Sequence, residues 1–293
     1  MERNQNPHRK GLLIVSTGVF ILSFDALLVR LIGTTPWNLV FWRGLLIFLS
    51  LGGVFVVQGI RSGYLTETRR YRGIFSNALI AGLGLILFPL SLEYTSAANT
   101  VVILTSTPLF AAILARIFLK EKLARRTWAA ICSVVIGIAI IFAGSLTGGG
   151  LRGDLIALFA ALNFALNMTL LRGNHHLSRV ALTAFSGLLA ALVCLPFAEP
   201  LSLPFETYLL LGITGLLQMP LAMLLIYTGT RYLPAAEVSL LILIESILAP
   251  VWVFIAVNEL PARETYFGGV LILLTLATHS WITLRRETTP ANT

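Results

Sequence analysis

Residues 94–127 read YTSAANTVVILTSTPLFAAILARIFLKEKLARRT, and residues 232–265 read YLPAAEVSLLILIESILAPVWVFIAVNELPARET. At an offset of 138, with no gap, Tyr94, Ala97, Ala98, Glu121, Ala124, Arg125 and Thr127 face Tyr232, Ala235, Ala236, Glu259, Ala262, Arg263 and Thr265; Ala139 faces Ala277 farther on. Each stretch opens on a polar corner, runs through an apolar segment long enough to cross a bilayer, and closes on a charged corner. Isolated identities between apolar helices arise by chance. Glu, Arg and Thr in register along one ungapped run do not, so the stretch reads as one half of a duplication.

The rest of the chain supports that reading. In the first helix of each half, Gly11, Leu13, Ile14, Leu28 and Arg30 match Gly153, Leu155, Ile156, Leu170 and Arg172. In the third, Gly84 and Pro89 match Gly215 and Pro220. Hydrophobic residues make up 57% of the 293 residues and charged residues only 12%. A soluble domain carries about 25% charged residues, so the solvent for most of this surface is lipid. The chain is read as an all-α membrane protein. A closed β-barrel needs alternating polarity, and these segments are apolar nearly all round.

Ten spans follow: 11–32, 36–58, 73–94, 97–119, 127–144, 152–172, 179–197, 205–230, 234–257 and 263–284. The first run is long enough to span, so it reads as a retained helix and not as a cleaved leader. With the N-terminus inside, all but four of the 21 Lys and Arg residues fall on the inner side. Arg30, Arg152 and Arg263 fall outside, and Arg43 lies within the second span. That asymmetry places both termini in the cytoplasm. The net charge of +8 is thus a topology signal, and no basic face interleaved with aromatics suggests nucleic acid.

The organisation expected is a tail over 1–10, a five-helix repeat over 11–144, an external linker over 145–151, a second repeat over 152–284 and a tail over 285–293. Five is odd, so the second copy enters the membrane from the opposite side. Inverted repeats of this kind are a transporter design, in which a site near the midplane opens alternately to each face.

The chain resembles the EamA-type transporters of the drug/metabolite transporter superfamily. The resemblance is carried by Ala97-Ala98, Pro108 and Leu119-Lys120-Glu121, and again by Ala235-Ala236, Glu245 and Asn258-Glu259-Leu260. The family often has Glu-Pro in the ninth helix. Here Glu245 is followed by Ser246, and Pro250 comes one turn later. Within the superfamily the chain is most similar to bacterial aromatic amino-acid exporters (YddG-like). The resemblance implies ten helices, a multi-pass location in the inner membrane, export from the cytoplasm, and a central cavity lined mainly by helices 1, 3, 4, 6, 8 and 9.

Polar side chains at membrane depth are costly and normally face a cavity or a partner. Asn163, Asn167, Gln218, Glu245 and Ser246 are therefore candidate substrate contacts, and Asp25 and Glu245 are candidate proton or charge sites. Asp25 aligns with Asn167 between the repeats. The structural alternatives are a pair of Asp25 with Arg30 or Arg43, a protonated Glu245 in an interhelical hydrogen bond, and asparagines acting as interhelical glue. Gly84 to Pro89 and Gly215 to Pro220 are candidate helix breaks or hinges, because proline frees a carbonyl one turn earlier.

A zwitterionic amino acid needs an acceptor for its ammonium, donors for its carboxylate and an apolar wall. Phe164, Met168, Met219, Met223 and Trp252 could form the wall, and flexible Met suits a tolerant pocket. The substrate expected is an amino acid, aromatic or large neutral, or a related metabolite. A drug cation or another metabolite is the alternative. A membrane-embedded enzyme would need Asp25, Glu245 and His279 to converge at one depth.

No cofactor or metal is expected. Cys132 and Cys194 are far apart, His175-His176 has no third ligand nearby, and the GxGxxG match at Gly148, Gly150 and Gly153 has no preceding strand. The expected partners are a small-molecule substrate and the bilayer. Nothing in the sequence fixes the oligomeric state.

Overall fold

A computed structural model describes residues 7–62, 68–118, 125–173, 178–229, 232–233 and 235–288. Lys120, Glu121, Ala124, His175 and His176 lie outside the described residues. Among those described there is no strand, and the chain forms thirteen α-helices. These are α1 (Pro7–Leu22), α2 (Asp25–Ile32), α3 (Pro36–Ser62), α4 (Thr68–Tyr94), α5 (Ala97–Leu104), α6 (Thr107–Phe118), α7 (Arg125–Gly148), α8 (Leu151–Gly173), α9 (Arg179–Cys194), α10 (Phe205–Gly212), α11 (Met219–Gly229), α12 (Ala235–Val257) and α13 (Arg263–Thr288). Eight helical stretches among the described residues are long and apolar enough to cross a membrane; the last is Phe205–Ile226, and Leu241–Val257 is a shorter apolar helix. Large apolar side chains such as Phe159, Leu217, Ile255 and Phe267 are exposed on the helices, as lipid-facing surfaces require.

Two of the expected spans are interrupted. The first breaks at Ser23–Phe24, between α1 and α2. Ser23 Oγ donates to the Phe20 carbonyl at 2.7 Å, a back-bond that bends helices. Asp25 then stands in the first turn of α2, where the helix dipole favours a carboxylate. The fourth span breaks at Thr105–Ser106, between α5 and α6. Pro108 has no N–H to offer the Leu104 carbonyl. Thr107 Oγ1 takes its place and donates to that carbonyl at 2.6 Å.

The eighth span contains a π-helical turn, Ile213–Gln218, between α10 and α11. It lies just before Pro220, whose missing N–H also disturbs the regular ladder, and such turns cluster at functional sites. The third span differs: α4 passes through Gly84 and Pro89 as one helix.

Close helix contacts are made by glycine. A Cβ on Gly187 would lie 2.6 Å from the Gly44 carbonyl oxygen, and a Cβ on Gly44 would collide with the Gly187 carbonyl oxygen. The same reciprocity joins α7 to α13: a Cβ on Gly137 would lie 3.0 Å from the Gly268 oxygen, and one on Gly268 would lie 2.6 Å from the Gly137 oxygen. Without a hydrophobic drive between helices in lipid, such small-residue packing is a main source of association.

Polar groups gather at one end of the bundle. Arg30 donates to the carbonyls of Leu92 at 2.6 Å and Thr95 at 2.8 Å, and pairs with Glu259 at 3.0 Å. Glu259 also accepts from the Ala97 N–H at 2.7 Å, capping α5. Beside it, buried Asp154 accepts from Thr95 and Asn99 and from Ser145, and Thr265 donates to Asn99. Thr127 meets His279 at the far ends of α7 and α13, and Lys10 over Tyr232 and Arg116 over Trp128 are further contacts away from this cluster.

Candidate functional site

The break in the first span assembles one group of the residues singled out from sequence. Asp25 is buried and pairs with Arg43 of α3, its two oxygens 2.8 and 2.9 Å from Nη2. Both side chains are at most 5% exposed. An ion pair taken out of water loses several kcal/mol of solvation per ion and holds only with good geometry. The partner of Asp25 is thus Arg43, while Arg30 belongs to the Glu259 cluster.

Gln218, the last residue of the π-helical turn, approaches the same break. Its Nε2 donates at 3.2 Å to the Ile21 carbonyl. Gln218 Oε1 and Arg43 Nε are both buried without a hydrogen-bond partner. Gly215, one turn earlier, lets the π-helical turn press against α3: a Cβ there would lie 2.7 Å from Leu46 Cβ. Pro220 is buried in the first turn of α11.

The third contribution comes from α12. Trp252 donates its indole N–H to Ser23 Oγ at 3.0 Å. Its ring stacks on Phe24, with centroids 4.9 Å apart and planes at 13°, and meets Phe20 edge-on at 6.2 Å. Glu245 lies seven residues earlier, on the same helix face. It is partly buried, and Asp25 is near enough to act on it electrostatically. Ser246 is buried, with its hydroxyl spent on the Leu243 carbonyl at 3.0 Å.

A second group lies on the seam between α4 and α8. Asn167 Nδ2 donates to the Asn77 carbonyl at 3.4 Å. A Cβ on Gly84 would lie 2.9 Å from Asn163 Oδ1 and 3.0 Å from the Phe164 ring. Asn163 Oδ1 has no hydrogen-bond partner. Pro89 lies farther along α4, in the wall of a cavity at the Arg30 end. Met219 and Met223 pack against the Val15, Val19 and Leu22 cluster of α1, whereas Met168 is exposed on the outside of α8.

Sequence reasoning passed over Phe20, Ser23 and Phe24 as contributors. The signal was present: a Ser and an Asp two residues apart inside an otherwise apolar run, residues that favour helix ends over interiors. Among the described residues no group of three His, Cys, Asp or Glu side chains is placed to hold a metal ion.

Chemically, the break offers an aromatic wall, one unused cationic N–H at Arg43, one unused amide oxygen at Gln218 and a carboxylate at Glu245. These groups can hold a small polar or zwitterionic molecule. They include no nucleophile activated by an adjacent base.

Comparison with known proteins agrees with this architecture. Residues 9–143 and 151–281 each match the EamA-like transporter family. The uncharacterized transporter YdfC of Bacillus subtilis (strain 168) is 25% identical over 266 residues, covering 87% of this chain and 85% of that protein. A solved crystal structure, 18% identical, superposes with a TM-score of 0.65 over 95% of this chain and 99% of its own, and so shares the fold.

Proposed function

Since the chain belongs to the EamA-like transporter family and is a multi-pass membrane protein, we propose that it exports amino acids, aromatic or large neutral, or related small metabolites across the inner membrane. The observation that carries this reading is the break at Ser23–Phe24. There a buried ion pair, an amide from the π-helical turn and a stacked tryptophan meet inside the bundle. Irregular backbone at membrane depth is tolerated where it is buried in protein or lines a cavity, and broken helices frame transporter sites. Arg43 Nε and Gln218 Oε1, left without partners, suit a carboxylate and an ammonium in turn. Glu245 is a second acceptor for the ammonium. Asn163 and Asn167, with Phe164, extend the polar lining on the α4–α8 side.

The mechanism proposed is alternating access between two inverted five-helix repeats, crossing the membrane ten times with both termini cytoplasmic. The reciprocal glycine contacts support it. Gly44 of one copy touches Gly187 of the other, and Gly137 touches Gly268, each through the other's carbonyl. Mutual contacts of this kind are what a two-fold relation between similar halves produces. The breaks at Ser23, Thr105 and the π-helical turn are the hinges. Gly84 and Pro89 lie within the continuous helix α4.

The test is uptake of labelled amino acids into liposomes containing only the purified protein, with and without a pH gradient. Saturable flux of phenylalanine or leucine supports the reading. Absence of flux for every amino acid, with the protein folded and inserted, removes the amino-acid substrate. The second reading, an organic cation, is favoured by one feature: with Asp25 and Arg43 neutralising each other, Glu245 is the carboxylate left over near the break, and an ionised carboxylate at membrane depth attracts a cationic partner. Flux of a quaternary ammonium dye in the same liposomes distinguishes it.

A further inference from the structure

At the Arg30 end of the bundle lies a cavity of about 350 Å³, lined wholly by residues between Val29 and Glu93. Every lining residue therefore comes from the first half of the chain, whereas the central break also draws on Gln218, Glu245 and Trp252. Its volume is at the small end of ligand pockets, which run from roughly 300 to 1,000 Å³. The wall is not apolar. Arg30, Thr34, Thr35 and Glu93 line it together with Leu39 and Leu92.

The hydrogen-bond capacities of these side chains are unequal. A guanidinium has five N–H groups. In Arg30, Nη1 gives one to the Leu92 carbonyl, Nη2 serves Thr95 and Glu259, and Nε faces Glu259. One N–H of Nη1 is unused. Thr34 Oγ1 and Thr35 Oγ1 both act as acceptors, from Asn38 Nδ2 and from the Asn38 N–H, so both hydroxyl protons are available to a ligand. Glu93 is exposed and directly follows Leu92, whose carbonyl holds Arg30. A positive donor set and a negative acceptor thus stand together at one small cavity.

We propose that this cavity is a second binding site, separate from the central break, for a small zwitterion whose carboxylate is held by Arg30, Thr34 and Thr35 and whose ammonium is held by Glu93. Charge-assisted hydrogen bonds of this type are the strong ones. Occupation bears on the Arg30–Glu259 pair, because a bound carboxylate competes with Glu259 for the same guanidinium. The site therefore couples ligand to the clasp that joins the start of the first half to the end of the second.

The test reads binding, not flux, so it stands apart from the transport reading. The full-length protein, with exposed Cys132 replaced by Ser and Val29→Cys introduced at a lining position that takes no part in the proposed binding, is purified in detergent and labelled with a maleimide. Glycine, L-leucine and L-phenylalanine are the probes. At least one is expected to slow labelling in a saturable way. 3-Phenylpropionate, which lacks the ammonium, and phenylethylamine, which lacks the carboxylate, are expected not to. Glu93→Gln, at an exposed position, is expected to raise the half-protecting concentration by about tenfold, the loss of one charge-assisted hydrogen bond. No protection by any of the three in a folded protein overturns the proposal, as does protection unchanged by Glu93→Gln. If protection is found but liposomes show no amino-acid flux, this site stands and the transport reading fails. Flux without protection is the reverse.

Discussion

Gly44 and Gly187 each occupy the place where the other's carbonyl oxygen leaves no room for a side chain. The contact holds α3 against α9 at backbone distance, and the Arg43 side chain departs from the residue just before it. Packing on one face of α3 thus fixes where the cation of the buried pair sits. Gly44→Val is expected to lower stability by about 1–3 kcal/mol, the usual cost of overpacking. Gly53→Ala on the same helix meets nothing within 4 Å, and is expected to gain about 0.5–1 kcal/mol from helix propensity. Thermal unfolding of the two variants in detergent checks the pair. Equal melting temperatures would remove the close contact.

The Asp25–Arg43 pair makes a different prediction. Removing one partner leaves a charge buried and unpaired, which costs about 3–5 kcal/mol. Asp25→Asn and Arg43→Gln should each melt well below the parent. The double variant should recover most of that loss, because it leaves no charge behind. Flux should not recover with it, since the Arg43 Nε donor is gone. Recovery of flux together with stability would show that the pair is structural only.

Much of this was legible in the sequence, and the reasons are physical. Apolar length and short corners reveal membrane helices because lipid requires long apolar segments with their backbone hydrogen bonds satisfied internally. The Gly215 to Pro220 segment coincides with the π-helical turn, next to a proline that has no N–H to give the helical ladder. The same signature over Gly84 to Pro89 corresponds to an uninterrupted α4, since a helix packed along its length can absorb one missing hydrogen bond. Which arginine pairs with Asp25 was not legible. Arg30 and Arg43 are both within reach in sequence, and the choice is made by Leu92, Thr95 and Glu259, which draw Arg30 to the end of the bundle. Trp252 was a candidate wall residue, but its hydrogen bond depends on a bend at Ser23 that composition does not show. Arg172 and Glu121, which the duplication matches to Arg30 and Glu259, fall where side chains lie outside the described residues.

Thr107 and Pro108 form a compensating pair at the break in the fourth span. The threonine hydroxyl bonds the Leu104 carbonyl that proline cannot. Thr107→Val should strand that carbonyl and cost about 1–3 kcal/mol, the penalty for a buried unsatisfied group. Adding Pro108→Ala restores a backbone N–H and should return most of the loss. Thermal unfolding of the single and double variants decides it. A double variant no more stable than Thr107→Val would show that the break does not arise from the missing proline donor.

Trp252 couples α12 to the break by a hydrogen bond and by stacking, and substitutions separate the two. Trp252→Phe keeps a ring against Phe24 but loses the bond to Ser23, a loss of about 0.5–1.5 kcal/mol. Trp252→Ala loses the stack as well, and should cost about 3–5 kcal/mol where the site cannot collapse. If the ring also forms the apolar wall for substrate, Trp252→Phe should transport with a modestly raised KM, and Trp252→Ala should lose flux beyond what its reduced folded fraction explains. Liposome flux normalised to folded protein is the measurement. Equal normalised flux in all three proteins would take Trp252 out of the substrate site.

Glu245 offers the sharpest distinction between a binding role and a coupling role. The carboxylate is partly buried on the α12 face that meets α1, under the field of Asp25, while Arg43 is committed to Asp25. An extra negative charge at membrane depth is costly, so the site is expected to hold either a proton or a cationic group of the substrate. If proton and substrate alternate there, an inward pH gradient should drive export in the parent. Glu245→Gln, neutral in every state, should then show the same slow flux with and without the gradient. If Glu245 only binds the ammonium, the substitution should raise KM and leave the gradient without effect in either protein. A gradient-driven flux that survives Glu245→Gln would place coupling at another residue, and Asp25 would be the next carboxylate to replace.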